Sequence, residues 1–364
     1  MFIIFILLML GGLTYALWHV WCILPFPKLW KWLTVILLAF AFLSMFLLFG
    51  GLMEKVSLPI ASAAYEVSTS MVIILLYLVM IFLVLDLLRL VHLLPATYFH
   101  ENWASTLSIT GLLVVVFAWG NIQYHNKVRV PITLTTSKPL AKDYKIVMMS
   151  DLHLGFHNRR AEFARWVDMV NSEHPDMILI AGDIIDISLR PLIEENVAEE
   201  FHRLEAPVYA CLGNHEYISR TPKALEFFKD ANIHLLSDTS ESIDSAICVI
   251  GRDDRSNRHR KGLSELTQDL PQDQYTILLD HQPYHLEEAE QCGIDFQLSG
   301  HTHRGQVWPI SWITDALYEC SWGKHQRGNT HYYVSSGIGI WGGKFRIGTQ
   351  SEYVVAVLKG EEQK

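Results

Sequence analysis

The chain has 364 residues, half of them hydrophobic and only 18% charged, with a formal net charge of −9. That length leaves room for about two or three domains, and the acidic balance argues against a nucleic-acid binder, which carries a basic face. The five cysteines, Cys22, Cys211, Cys248, Cys292 and Cys320, form no CxxC pair, so they read as free thiols in a reducing compartment.

In chain order, the first elements are four apolar runs, 2–24, 33–53, 71–94 and 103–124. Each is long enough to cross about 30 Å of hydrocarbon as a helix. The first run has no basic residue ahead of it and no small-residue cleavage site, so an anchor is expected rather than a cleaved signal peptide. Trp18, Trp21, Trp30, Trp32, Trp103 and Trp119 lie near the run ends, where indoles favour the membrane interface. Asp86 and Arg89 share the third run at i,i+3, a spacing that lets them neutralise each other near its end. The other view of such a pair is an intramembrane functional site. Lys55, Lys127, Arg129, Lys138 and Lys142 outnumber Lys28, Lys31 and Arg89 on the opposite side, a bias toward a cytoplasmic C-terminal domain. The expected organisation is a four-helix transmembrane anchor over 1–126, a linker and first strand over 127–143, and one further domain over 144–364.

The pattern then changes. YKIVMMSD, MILIAGD, VYACLGN, ICVIG, TILLDHQ, FQLSGH and a final YYVSSG…EYVVAVLK pair are short apolar runs, as in strands buried on both faces. EFARWVDMVNSE, VAEEFHRLEA and ALEFFKDA intervene with helical spacing. Early strand–helix alternation predicts a layered α/β core, and the strand-rich end predicts a second sheet.

Five of these runs end in metal-type ligands: Asp151 and His153 in SDLHLG, Asp183 in AGDIID, Asn214 and His215 in LGNHE, His281 in LDHQP, and His301 and His303 in SGHTH. Sites in open α/β sheets form at the carboxyl ends of strands, so residues far apart in sequence can converge there. The i,i+2 pairs point to one side if the chain is extended. A mixed Asp/Asn/His set suits manganese, iron or zinc better than calcium or a thiolate site. Asp151, His153, Asp183, Asn214, His281, His301 and His303 are too many for one tetrahedral ion with an open position. They suit two ions sharing a carboxylate, the arrangement that activates water for in-line displacement at phosphorus.

SDLHLG, GDIID, GNHE, DHQP and GHTH, in this order, resemble the calcineurin-like metallophosphoesterase superfamily over roughly 144–359. GHTHRGQ and SSGIGIWGGKFRIGTQSE are similar to a branch of membrane-anchored bacterial phosphodiesterases that includes some UDP-2,3-diacylglucosamine hydrolases. The resemblance implies an αββα four-layer sandwich behind the four transmembrane helices, in a bacterial plasma membrane. It implies two divalent ions, manganese first. One would be held by Asp151, His153, Asp183 and His303, the other by Asp183, Asn214, His281 and His301. His215 would touch the phosphate and protonate the leaving oxygen, with a metal-bridging hydroxide as nucleophile. The implied enzyme is a metal-dependent hydrolase of phosphodiester or pyrophosphate bonds.

The chain departs from the pattern in places. GDIIDIS lacks the Arg-Gly that follows in protein phosphatases, which argues against a phosphoprotein substrate, and Asp186 is expected beside the ligands or as a cap. Arg304 has two readings, a substrate-phosphate contact or a solvent-facing side chain. His157 and Glu216 read as loop polarity. The apolar stretch WPISWITDALYECSW, 308–322, fits a lid, a bilayer-facing surface suited to a lipid-linked phosphate, or a helix packed on the domain. The rival functions are a catalytically silent scaffold of the same fold, against which all eight side chains are present, and a regulated transporter, whose spans would need more polar residues.

Overall fold

The structure, a computed structural model, describes residues 2–49, 51–219 and 221–361. The outer limits expected for the two regions, residues 1 and 364, lie outside them. The chain forms two compact units, one of residues 1–121 with 342–344, the other of 122–341 with 345–364.

The first unit is built on α1 (Phe2–Ile23), α2 (Lys28–Phe49), α3 (Leu58–Leu90) and α4 (Trp103–His125). All four are long and apolar enough to cross a membrane. Two differ from the apolar runs. The second helix starts at Lys28 rather than 33, and the third at Leu58 rather than 71. The added ASAAYEVSTS turns are polar enough to break a hydropathy run yet helix-compatible, and Pro59 sits in the first turn. Leu13, Ala16 and Val20 pack with Phe42, Leu75, Leu78 and Phe82, while Leu7, Leu8, Ile36, Leu37, Phe40 and Leu87 stay exposed. A helix that is apolar all round is suited to lipid contact.

Asp86 does not pair with Arg89. Its Oδ2 accepts from the Tyr15 hydroxyl at 2.7 Å and lies 3.0 Å from His19 Nε2. Tyr15 and His19 are one turn apart on α1, and the His19 ring is buried and stacked on Phe82. The Arg89 guanidinium instead lies over the Phe99 ring, 5.3 Å from its centroid. Helix packing thus overrides the local i,i+3 spacing: a carboxylate in apolar surroundings takes whichever donors the neighbouring helix presents.

The second unit holds β1 (Lys127–Thr136), β2 (Tyr144–Met149), β3 (Met177–Ala181), β4 (Val208–Cys211), β5 (His234–Leu235), β6 (Thr239–Ile243), β7 (Ile247–Gly251), β8 (Tyr275–Leu279), β9 (Phe296–Ser299), β10 (Gly323–Arg327), β11 (Thr330–Val334) and β12 (Ser351–Gly360). They form two six-stranded sheets, ordered β1-β12-β2-β3-β4-β5 and β10-β11-β9-β8-β7-β6. The central strands of each sheet pair in parallel, and antiparallel pairs occur at β12–β2, β6–β7 and β10–β11.

Alternate residues serve different layers, as a strand's period of two requires. Ile146, Met148 and Leu179 of the first sheet face Val249, Ile277, Leu279 and Leu298 of the second. Val147, Met149, Ile178 and Ile180 face outward against Phe163 and Trp166 of α5 (Arg160–Asn171) and Phe227 of a later helix, 221–230. Beyond the second sheet, Ile250 and Leu278 pack with Leu263, Leu286 and Ala289 of two short helices. The result is the expected αββα sandwich. β5, β6 and β10 were not foreseen: they are short or half-exposed, so they lack a fully apolar run. VAEEFHRLEA yields only one helical turn, Ala198–Phe201.

Candidate metal centre

The five motifs follow the carboxyl ends of β2, β3, β4, β8 and β9 within a few residues. Their backbones do not stay extended. Asp151, His153, Asp183, His301 and His303 all have left-handed φ values, between 45° and 71°. Asp and His enter this region more readily than bulky or branched residues, and such strain persists where surrounding structure over-determines it. Here the loops pair with one another. Asp151 N donates to Gly182 O, His153 N to Asp183 O, and Leu154 N to Ile184 O.

The acids also catch the backbone of the next motif. His215 N donates to Asp183 Oδ1 at 2.9 Å, and His301 N donates to Asp151 Oδ1 at 3.0 Å. Two glycines are required by this closeness. A Cβ at Gly213 would lie 2.2 Å from Asp183 Oδ1, and one at Gly300 would lie 2.3 Å from Asp151 Oδ2.

The side chains converge as two groups with Asp183 between them. His153 Nε2 lies 3.1 Å from His303 Nε2, and both face Asp151 Oδ1, at 3.8 and 3.4 Å. Asp183 Oδ2 is 3.7 Å from His153 Nε2 on one side and 3.1 Å from His281 Nε2 on the other. His301 Nδ1 is 2.8 Å from Asn214 Oδ1. His281 Nδ1 lies 2.7 Å from the Ala181 carbonyl, which can only accept, so that nitrogen carries a proton and Nε2 is the atom turned to Asp183. Among the described residues, Asp151–His153–His303, Asp183–His281–His301 and His153–Asp186–His215 are each close enough to hold an ion. Adjacent ligands on an ion with bonds of roughly 2.0–2.2 Å sit about 3 to 3.5 Å apart. The separations of 3.1 and 3.4 Å match that edge length, and those of 2.8, 3.7 and 3.8 Å lie within a few tenths of an ångström of it.

Electrostatics sort the groups. Burial, with help from His281, lowers the His301 imidazole to about 4. Burial and His153 hold His303 well below its ordinary value. Both are therefore neutral near pH 7, as ligation needs. Burial opposes charge on Asp183, yet His281 and His215 hold its carboxyl well below the usual range. Burial also opposes charge on His215, but Asp183 and Asp186 outweigh it and lift the imidazole to about 9. His215 therefore favours its protonated form near pH 7, beside Asp183 and Asp186.

Asp186 lies beside the cluster, with Oδ1 3.4 Å from His153 Nδ1 and 3.2 Å from His215 Nδ1. Two expectations are corrected. Glu216 is not loop polarity: it is fully buried, and its carboxylate accepts from Asp183 N, Gly213 N and Ile185 N at 3.1, 2.7 and 2.9 Å. His157 is buried too, with Nε2 3.0 Å from Ile340 O. Arg304 is half-buried, its guanidinium 4.1 Å from the centre of the Trp322 ring rather than free in solvent. The 308–322 stretch forms a helix at Ile310–Leu317 with Trp312, Ile313 and Leu317 exposed. Arg346 was missed altogether. It is fully buried and donates to His303 O, and the sequence signal for it is no more than one arginine in a glycine-rich turn.

Residues 144–305 match the family model of the calcineurin-like phosphoesterases. The chain is 33% identical over 231 residues to an uncharacterized metallophosphoesterase of Campylobacter jejuni, covering 61% of each chain. It is 30% identical over 242 residues to an uncharacterized metallophosphoesterase of Aquifex aeolicus, covering 63% of this chain and 90% of that one. It is 29% identical to a zebrafish (Danio rerio) transmembrane protein with metallophosphoesterase domain, covering 70% of this chain. The match thus spans 61% and 62% of the length of the Campylobacter and zebrafish proteins. Sequence, sheet order and the gathered acids and imidazoles together make this chain a member of the calcineurin-like metallophosphoesterase family, with four candidate membrane spans at its N-terminal side.

Proposed function

We propose that the chain is a membrane-anchored phosphoesterase that uses two divalent ions, manganese first, to hydrolyse a phosphodiester or pyrophosphate bond. The observation that carries this is the shared carboxylate: Asp183 Oδ2 lies between His153 Nε2 and His281 Nε2, with a histidine–acid group on one side and a histidine–amide group on the other. Asp151, His153, Asp183 and His303 would hold one ion, and Asp183, Asn214, His281 and His301 the other. When bound, such a pair supplies an activated water near neutral pH and positive charge for the phosphoryl oxygens.

The chain's own residues do the rest. His215 holds a proton at its imidazole, and Asp186, 3.2 Å from Nδ1, orients the ring to deliver it from Nε2 to the departing oxygen. Arg304, held on Trp322 beside His303, offers a guanidinium to a phosphoryl oxygen. The exposed Trp308, Trp312, Ile313 and Leu317 follow directly after the His301–His303 loop, which supports a substrate with an apolar tail, such as a lipid-linked phosphate. The basic residues near the span ends favour a cytoplasmic domain in a bacterial plasma membrane.

Full-length protein in detergent should retain two transition-metal ions per chain by elemental analysis. It should hydrolyse bis(p-nitrophenyl) phosphate only in the metal-loaded form, and Asp183→Asn should lose both ions and turnover. Absence of metal retention, together with no turnover on diesters, monoesters, pyrophosphates and a lipid-linked nucleotide sugar, would overturn the proposal.

A further inference from the structure

Arg346 is the largest side chain with essentially no exposure, yet among the described residues no carboxylate lies within ion-pair distance of its guanidinium. Its donors go to backbone and hydroxyl oxygens instead. Nη1 donates to His303 O at 2.9 Å, and Nη2 is directed at Ser336 O, Gly337 O and Gly339 O at 2.5, 3.2 and 3.0 Å. Nε donates to Ser351 Oγ at 3.3 Å.

The two segments it joins are the ones behind Asp151 and His303. Gly339 N donates to Asp151 O at 3.0 Å, and Ile338 N to Ser150 O at 3.2 Å. A Cβ at Gly337 would meet Asp151 Cβ at 2.9 Å and His303 Nδ1 at 3.2 Å, so this segment is the wall against which both side chains rest. The same segment is gripped from its other side by Glu352, fully buried, whose Oε1 accepts from Ser336 N, Trp322 Nε1 and the Tyr333 hydroxyl. His303 and Arg304 both have left-handed φ, 47° and 49°, so the loop needs an external hold.

We propose that Arg346 is a positioning residue: by tying the 336–339 wall to the main chain of His303, it fixes the separation of Asp151 and His303 for one of the two ions. The proposal rests on the metal-centre reading above. The fork matters more than the charge. A guanidinium offers five N–H donors in fixed planar directions, whereas an ammonium offers three on a flexible stem. The charge is favoured by the buried Glu352 and Asp151 carboxylates, but a lysine would keep that charge and lose the planar fork.

The test uses full-length protein with Arg346→Lys and Arg346→Met. Metal titration by calorimetry and elemental analysis reads the outcome, alongside amide exchange of residues 301–306. Residues that orient metal ligands from outside typically contribute about 10–100-fold in affinity. Arg346→Lys should therefore weaken one ion by that factor, leave the second near its parental affinity, and speed exchange at 303–306. In turnover, kcat should fall while KM holds. Val355→Ala, a cavity in the helix-facing layer away from the loop, should lower stability while binding both ions as the parent does. Should Arg346→Met fail to fold, Ser351→Ala, which removes the Nε acceptor alone, should still weaken the same ion. Parental binding of both ions by Arg346→Lys would overturn the proposal, as would Val355→Ala losing metal in parallel with it. If the parent itself binds no ions, the metal-centre reading fails and this inference falls with it.

Discussion

Glu216→Gln probes the joint between the GDIID and GNHE loops. The change keeps size and shape and removes only charge and one acceptor. In the parent, Oε2 accepts from Asp183 N and Gly213 N, and Oε1 accepts from Ile185 N. A glutamine can turn its carbonyl oxygen to the first two donors, which then become neutral hydrogen bonds. Its amide group must face the Ile185 N–H, donor against donor. A lost hydrogen bond to a charged group accounts for about 1.5–3 kcal/mol, and a buried donor left unmet adds to that. We expect a loss of about 3 kcal/mol in the local stability of these loops, or on the order of a hundredfold in amide protection. Hydrogen exchange of the full-length protein at pH 8, read on peptides covering 182–186 and 212–216, measures it directly. Burial, with the Asp183 charge, lifts the Glu216 carboxyl to about 7, so at pH 8 the parent is mostly ionised and the comparison is with the carboxylate. Glu216→Ala, which orphans all three donors, should lose more. If Glu216→Gln exchanges within about threefold of the parent, three charge-assisted bonds of ordinary strength are not present and the account of this joint is wrong.

His215→Asn should slow hydrolysis of an alkyl phosphodiester by about 10²–10⁴, the usual contribution of a positioned acid, but barely affect a p-nitrophenyl diester whose leaving group needs no proton; equal slowing of both would refute the acid role. Gly300→Ala drives a methyl into Asp151 Oδ2 at 2.3 Å and should abolish metal retention, whereas Gly360→Ala, with nothing within 4 Å, should retain both ions. Asp86→Ala removes the acceptor shared by Tyr15 and His19 and should lower the thermal stability of the detergent-solubilised protein by about 1–2 kcal/mol with kcat unchanged, whereas Arg89→Ala should not. Burial of Glu200 favours its neutral form, but hydrogen bonds from Arg203 and Arg160 prevail and hold its carboxyl below 4.5. That stabilisation is complete above the ordinary carboxyl value and is lost as pH falls through the lowered one, so Glu200→Gln should flatten the acid limb of the stability profile, measured by thermal unfolding between pH 3 and pH 7.

The central strands were legible because each is an apolar run ended by Gly, Asn, Asp or His, and burial on both faces leaves no other composition open to them. Sequence order then did the rest for the site, because every candidate ligand follows a strand by two to four residues. β5, β6 and β10 escaped notice because an edge strand needs only one buried face or none. Glu216, His157 and Arg346 escaped for a different reason. Each is a polar side chain spent on backbone atoms 31 to 183 positions away or across a loop, and no local spacing encodes such a bond. Asp86 failed in the opposite sense: a local spacing suggested Arg89, and the partners on α1 lie 71 and 67 residues away.

The two histidines of GHTH show where the periodic argument stops applying. In extended chain, residues at i and i+2 point to one side, which would send both imidazoles to one ion. The loop is not extended: φ is 71° at His301 and 47° at His303. Thr302 between them is turned away, its hydroxyl donating to Ser321 O at 2.6 Å. The left-handed turns divide the pair, so that His301 faces Asn214 and His281 while His303 faces Asp151 and His153. One short loop therefore contributes to both groups, and Asp183 is the carboxylate that stands between them. Any distortion of this loop must disturb both groups at once unless the hold on its two ends is separate. The hold is separate: the His301 end is fixed by Asp151 accepting its N–H, and the His303 end by Arg346 at its carbonyl. That division is why loss of Arg346 should weaken one ion and spare the other, whereas a methyl at Gly300, which displaces Asp151 and His301 together, should spare neither.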